Sequence, residues 1–328
     1  MPTTTLQDRF FLWMVVILGG LPIALPFVFW VGETGTSPTM DIAVWYYWIN
    51  AAISGPHVYS TYLRLSRKID EKKVPSFFGM PAYASAVVGL FIFYKFEMLT
   101  LALTLVNIWQ SYHYLRQTYG VYRFLGRHSV EDETTKRIGF WAFHAAMPLL
   151  VLGRSDTIYH VWQGKAAPYL IPIQMPDMVM RYSYLAFWIA VALGLWLCWK
   201  LISRQGWRKA MGPAAVVLTY FAIHYYGFMS VEHFQRGFFA VTIFHAVQYM
   251  GMTWWFEKRQ PFTDRGFLPF RLLRRSPFLL FWAFLLVGGL LWESGVAKLA
   301  SFTVFFLSAI SLHHYLVDSI IWRRQAGA

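Results

Sequence analysis

Apolar residues fill this chain in long blocks separated by short polar stretches, and the length of the blocks is the first clue to its architecture. Runs of about 20 mostly apolar residues, enough helix to cross about 30 Å of hydrocarbon, occupy 10–31, 42–63, 77–95, 97–115, 138–153, 182–201, 213–230, 237–256, 278–295 and 300–321. The pattern predicts an all-α polytopic membrane bundle of about ten transmembrane helices, forming a single domain over 1–328. Within the blocks, polar residues recur at helical spacing. Asn50, Ser54, His57 and Thr61 share one stripe, and Asn107, Gln110, His113, Tyr114 and Gln117 share another. Polar stripes on such helices should look inward, away from lipid.

Charge supplies an independent test, because cytoplasmic loops of membrane proteins are rich in Lys and Arg. With the N-terminus inside, 23 of the 29 basic residues fall in the inner stretches, and only Lys95, Arg154, Lys165, Arg181, Arg236 and Lys298 fall outside or at outer ends. The alternation predicts an inner-membrane protein with both termini cytoplasmic. The first apolar run lacks a small-residue cleavage site and reads as a retained helix.

Composition agrees with this picture. Hydrophobic residues make up 57% of the chain, aromatic residues 20% and charged residues only 14%, against roughly 25% charged in an ordinary soluble domain. The net charge of +13 reads as inner loops facing anionic lipid headgroups rather than as a nucleic-acid surface, so membrane lipids are expected partners and nucleic acid is not. The single cysteine, Cys198, excludes an internal disulfide and reads as a packed hydrophobe.

The chemistry lies in the histidines. His57, His113, His245 and the adjacent His313 and His314 stand on four predicted helices that all run from outside to inside, each in the half nearer the basic loop. Imidazole in hydrocarbon is costly unless paired, hydrated or bound to a metal, and neutral imidazoles suit iron, zinc, copper or nickel. Tyr249 lies four residues after His245, Tyr114 follows His113, and Asp318 lies four residues after His314. Helix geometry puts Asp318 about 40° from His314 and about 140° from His313. Asp318, Gln110 or a tyrosine could hydrogen-bond the second ring nitrogen of a ligand. His144 lies on the same side, whereas His224, Glu232, His233 and His160 lie toward the outer surface, and His128 sits in a charged loop.

Four segments carry a resemblance: Gly55-Pro56-His57, His113, Ile243-Phe244-His245, and His313 followed five residues later by Asp318. In order and spacing they resemble the Brp/Blh-type bacterial β-carotene 15,15′-dioxygenases. The resemblance implies a non-haem iron (Fe2+) bound by His57, His113, His245 and His313, with dioxygen as co-substrate and a lipophilic, carotenoid-like or lipid small molecule as substrate. It also implies oxidative cleavage of a conjugated polyene to aldehydes. Tyr249 stands where that family has a second histidine. The motif favours His313 and geometry favours His314 as the ligand on the last helix, and both stay open. In the resulting scheme Asp318 orients an imidazole, while Tyr249 or Tyr114 positions oxygen or substrate. Two other readings compete: a membrane transporter using the histidines as a proton relay, and a haem-binding redox protein using them as axial ligands. The eight-histidine boxes of membrane desaturases are not present.

Overall fold

The computed structural model describes residues 11–20, 50–126, 132–147, 176–227, 234–259, 276–297 and 300–321. Among the described residues the secondary structure is helical, without a strand. We number the α-helices α1 Gly55–Asp70, α2 Met80–Lys95, α3 Leu99–Leu125, α4 Glu133–His144, α5 Asp177–Gln205, α6 Trp207–Tyr225, α7 Phe234–Arg259, α8 Phe278–Ala297 and α9 Ala300–Ile321. A wide turn of π-helix, Asn50–Ser54, leads into α1, and another spans Leu12–Ile17. His128, His160, Glu232 and His233 lie outside the described residues.

Helix ends depart from the ends of the apolar blocks, for local reasons. α1 runs on to Asp70 and α3 to Leu125, because Arg, Lys and Gln propagate a helix as well as Leu does. α4 begins early, at Glu133, because the Asp132 carboxylate accepts the Thr135 N–H at 2.7 Å and supplies an N-cap. Gly206 separates α5 from α6 with φ +75, a left-handed conformation that glycine adopts without penalty.

The chain divides into two compact units, each built from two stretches of sequence. Met1–Thr36 and Asn107–Gln248 form one, and Ser37–Val106 and Tyr249–Ala328 form the other. Inside the first, α5 packs on α4 and α6 through a face that mixes small residues with the buried Phe187, Leu197 and Leu201. Ser183, Ala190, Gly194 and Cys198 are buried, whereas Tyr182, Leu185, Trp188, Leu195 and Trp199 are exposed. α5 approaches α6 closely at Gly194, where a Cβ would lie 2.3 Å from the Phe221 ring. Near the end of the described N-terminal stretch stands Gly19, whose φ of +55 and proximity to the Phe244 ring leave no room for a side chain. It is fastened to α7 by Gln248 Nε2, which donates to the Val16 carbonyl at 2.9 Å.

In the second unit, α8 packs on α1, and α9 packs on α2 and α1. Leu65 and Val74 meet Val317 and Ile321 in one apolar cluster, and Leu90, Ala102 and Ala309 form another. By length and composition, one described helix, α5, is long and apolar enough to cross a bilayer, while Met80–Lys95 and Phe278–Gly288 are shorter apolar stretches.

Two predictions follow from this packing. Gly194→Ala should lower thermal stability by about 1–3 kcal/mol through overpacking, read as a drop in Tm; an unchanged Tm would mean that α5 and α6 do not approach this closely. At the α4 cap, Thr135 first and then Arg204 hold the Asp132 carboxyl well below the usual carboxylate range. Its contribution is fully present above the unfolded value near about 4 and fades as pH falls through the depressed folded value. Asp132→Ala should therefore lower Tm at neutral pH, with the difference from the parent shrinking below about pH 4; a difference independent of pH would contradict the assignment.

Candidate metal centre

α1 and α9 bring the first two imidazoles together. Pro56 sits in the first turn of α1, where its missing N–H costs nothing, and His57 follows it, 5% exposed. The His57 ring lies edge-on to His314 with centroids 4.6 Å apart, and edge-on to Tyr249 at 4.5 Å. Tyr249 in turn is tied down: its hydroxyl donates to Asp318 Oδ1 at 2.5 Å. The Thr61 hydroxyl, one turn along α1 from His57, donates to the Tyr249 oxygen at 2.8 Å and lies 3.3 Å from the same carboxylate oxygen. Asp318 Oδ2 stands 3.6 Å from His314 Nε2, longer than a hydrogen bond but correctly placed to orient that ring.

α3 and α7 bring together the second pair. His113 and His245 are both buried, with ring centroids 4.9 Å apart. Tyr114 lies against His245 at 4.2 Å. Gln117 Nε2 donates to the His245 carbonyl at 2.8 Å, and Gln110 Nε2 donates to the Tyr114 hydroxyl at 2.7 Å. The polar stripe on α3 is thus used twice, once for the imidazole and once for the groups that hold its neighbours.

His57, His113, His245 and His314 each offer one ring nitrogen, and these four atoms lie within 4.8 Å of one another. Nitrogens bound about 2.1 Å from a common ion lie roughly 3 to 4.2 Å apart, so the rings need to draw in by less than about 1 Å. The donor set of four buried imidazoles fits a borderline transition metal.

His313 is placed differently from its neighbour. Its Nε2–H donates to the Phe78 carbonyl at 2.8 Å, which leaves Nδ1 to accept from the Tyr62 hydroxyl at 3.0 Å, and the ring stacks on Tyr62. Both nitrogens of the neutral ring are therefore committed to pinning α9 against the turn Ser76–Phe78, and it is His314 that belongs to the four-histidine group. The 100° step between successive helical residues decides this, and the geometry of Asp318 on α9 carried the same signal. His144 and His224 each turn Nδ1–H back onto the carbonyl four residues earlier, Phe140 and Tyr220, both at 2.7 Å, and neither is part of the group.

Below this centre, a set of buried charges escapes a reading based on topology alone. Arg67 Nε donates to both Glu257 carboxylate oxygens, at 3.1 and 2.9 Å, and its Nη1 donates to Glu71 at 2.6 Å. Arg64 Nη1 lies 3.8 Å from Glu257 and its guanidinium stacks on Phe256. Arg64 and Arg67 count as inner-loop markers in the sequence. The signal pointing to their partner is Glu257 itself, a carboxylate in step with Tyr249 on an apolar helix.

The two adjacent histidines should separate experimentally. His314→Phe should abolish metal binding, whereas His313→Phe should keep it and lower stability by about 1–3 kcal/mol through the two lost hydrogen bonds. Metal content and Tm measured on both variants test this, and loss of metal in His313→Phe alone would reverse the assignment. Comparison with known proteins finds no matching family model, no matching curated protein and no matching solved structure.

Proposed function

We propose that this protein is an integral membrane oxygenase, holding one non-haem iron between His57, His113, His245 and His314 and using dioxygen to oxidise a lipophilic substrate. The observation that carries the proposal is the four-histidine group itself: four buried imidazoles from four helices, with ligand atoms within 4.8 Å. Burying them together is costly without an ion or water to bind them, and an all-imidazole set leaves positions open for a small molecule. The iron, when bound, would supply the ability to engage dioxygen.

The remaining tasks belong to the chain. Asp318 is a positioning residue beside the His314 ring, and Tyr249, edge-on to His57 and fixed by Asp318 and Thr61, presents a rigid aromatic wall to whatever approaches. Tyr114 plays the same part beside His245. Packing of this kind excludes bulk water and restricts the poses open to a substrate.

Support for the membrane setting comes from α5, which turns Tyr182, Leu185, Trp188, Ile189, Leu195 and Trp199 outward, an exposed apolar surface of the kind that marks a membrane or partner contact. Tyr182 and Trp199, both exposed, are 17 residues apart, about 25 Å along the helix axis, a spacing that sets two aromatic anchors at the two edges of a hydrocarbon layer. In this reading the helices continue the ten-span arrangement with both termini on the cytoplasmic side of an inner membrane. Between the competing readings, ring spacing disfavours a haem held between the two rings of either pair. Two axial rings on opposite sides of an iron, bound at about 2 Å, have centres about 6 Å apart, whereas the two pairs stand at 4.6 and 4.9 Å.

Metal analysis of the purified full-length protein beside a His57→Ala, His113→Ala double variant tests the proposal. One iron per chain, lost in the variant, is the expected result. A Soret band would favour the haem reading, and absence of any bound metal or haem would favour a transporter.

A further inference from the structure

Polar residues recur at helical spacing along α1 and α7 from the histidine pair of the second unit toward its surface. On α7, Tyr249, Thr253 and Glu257 recur every four residues and share a face. On α1 the matching row runs from His57 through Thr61, Arg64 and Arg67 to Glu71, fourteen residues or about 21 Å. The rows are stitched together at both ends: Thr61 to Tyr249 at the histidine end, and Arg64 and Arg67 to Glu257 at the other. Beyond that pair, Glu71 meets Lys73 Nζ at 2.8 Å, and the Lys73 side chain is 42% exposed.

Exposure rises steadily along this seam. Glu257 is fully buried, Arg67 nearly so, Glu71 partly, and Lys73 reaches solvent. An ion pair meant only to fasten two helices has no need of a polar row leading inward from it, because apolar side chains there would fasten them better. The midpoint is the telling place. Thr253 is 0% exposed, and its hydroxyl makes no hydrogen bond. Thr104, Thr118 and Thr219 turn back onto the carbonyl four residues earlier, whereas Thr242, on α7 like Thr253, is likewise buried without a hydrogen bond but lies about two turns before Tyr249, outside the stretch from Tyr249 through Thr253 to Glu257. Thr253 has the same option through Tyr249 and does not take it. A water bound between Tyr249 and the ion pair would satisfy this buried hydroxyl.

We propose that this seam is a hydrated passage, with water held at Thr253 and the Arg67–Glu257 pair closing the outer end, through which water and small water-borne solutes reach the buried histidines. Such a route would let polar small molecules enter from the aqueous face while a lipophilic substrate arrives from the lipid. Its destination rests on the four-histidine reading, but its hydration does not.

The test uses the full-length protein in lipid nanodiscs with Cys198→Ala as background. Thr253→Cys is compared with Leu63→Cys, a residue of α1 that is 1% exposed and apolar, for modification by water-soluble 2-aminoethyl methanethiosulfonate, followed by mass spectrometry. The thiol at position 253 should be modified at least about tenfold faster; two equally inert thiols would overturn the proposal. If the cysteine variant does not purify folded, Thr253→Val decides. Loss of a water-bound hydroxyl should lower Tm, whereas removal of a dry, unbonded hydroxyl should raise it or leave it unchanged, and the latter result overturns the passage. Neither readout involves metal, so a protein that is modified at 253 yet binds no iron refutes the oxygenase reading alone.

Discussion

Everything chemical in this protein depends on the cost of burying imidazole. Each of the four rings is nearly removed from solvent, and none is charged cheaply in such a place. The fold meets that cost by giving each ring fixed neighbours. His57 has Tyr249 and His314 at its edges; His245 has Tyr114 against it and Gln117 on its carbonyl. Those neighbours are anchored in turn, Tyr249 by Asp318 and Thr61, Tyr114 by Gln110. Two layers of constraint therefore stand behind His57 and His245, the kind of support that would hold metal ligands in place.

The same helices carry a second expense in the buried pairing of Arg64 and Arg67 with Glu257. Removing one partner of such a pair leaves an uncompensated charge in the interior, and the attraction between partners gains little beyond the desolvation it offsets. The pair therefore adds little stability of its own, and besides standing at the outer end of the polar seam it fixes the register of α1 against α7. With Glu257 locked to Arg67, Tyr249 two turns earlier is held at the level of Thr61 and His57. Burial would raise the carboxyl of Glu71, but Lys73 and Arg67 beside it outweigh that and hold it below its ordinary value, so the outer end of the row stays ionised at neutral pH.

Much of this was legible in the sequence, and the exceptions have physical causes. Apolar blocks located the helices, since burial of long apolar runs decides where helix forms. Their ends were less legible, because the charged and amide residues after Leu63 and Leu115 continue a helix as readily as they end one, and because the Asp132 cap, not the apolar run, sets the start of α4. Pooling histidines by depth and side of approach brought out His57, His113, His245 and His314. Choosing between His313 and His314 needed the angle to Asp318, and the role of His313 needed Phe78 and Tyr62, which no spacing along the chain connects to it. The ion pair at Glu257 was hidden because arginines near a helix end serve equally as topology markers and as buried partners.

The central claim is that four imidazoles surround one iron. X-ray absorption at the iron K-edge of the purified protein tests it most directly. The account predicts a first shell dominated by nitrogen at about 2.0–2.2 Å with the outer-shell scattering pattern of several imidazole rings. A shell dominated by oxygen or sulfur, or iron present without imidazole scattering, would contradict it.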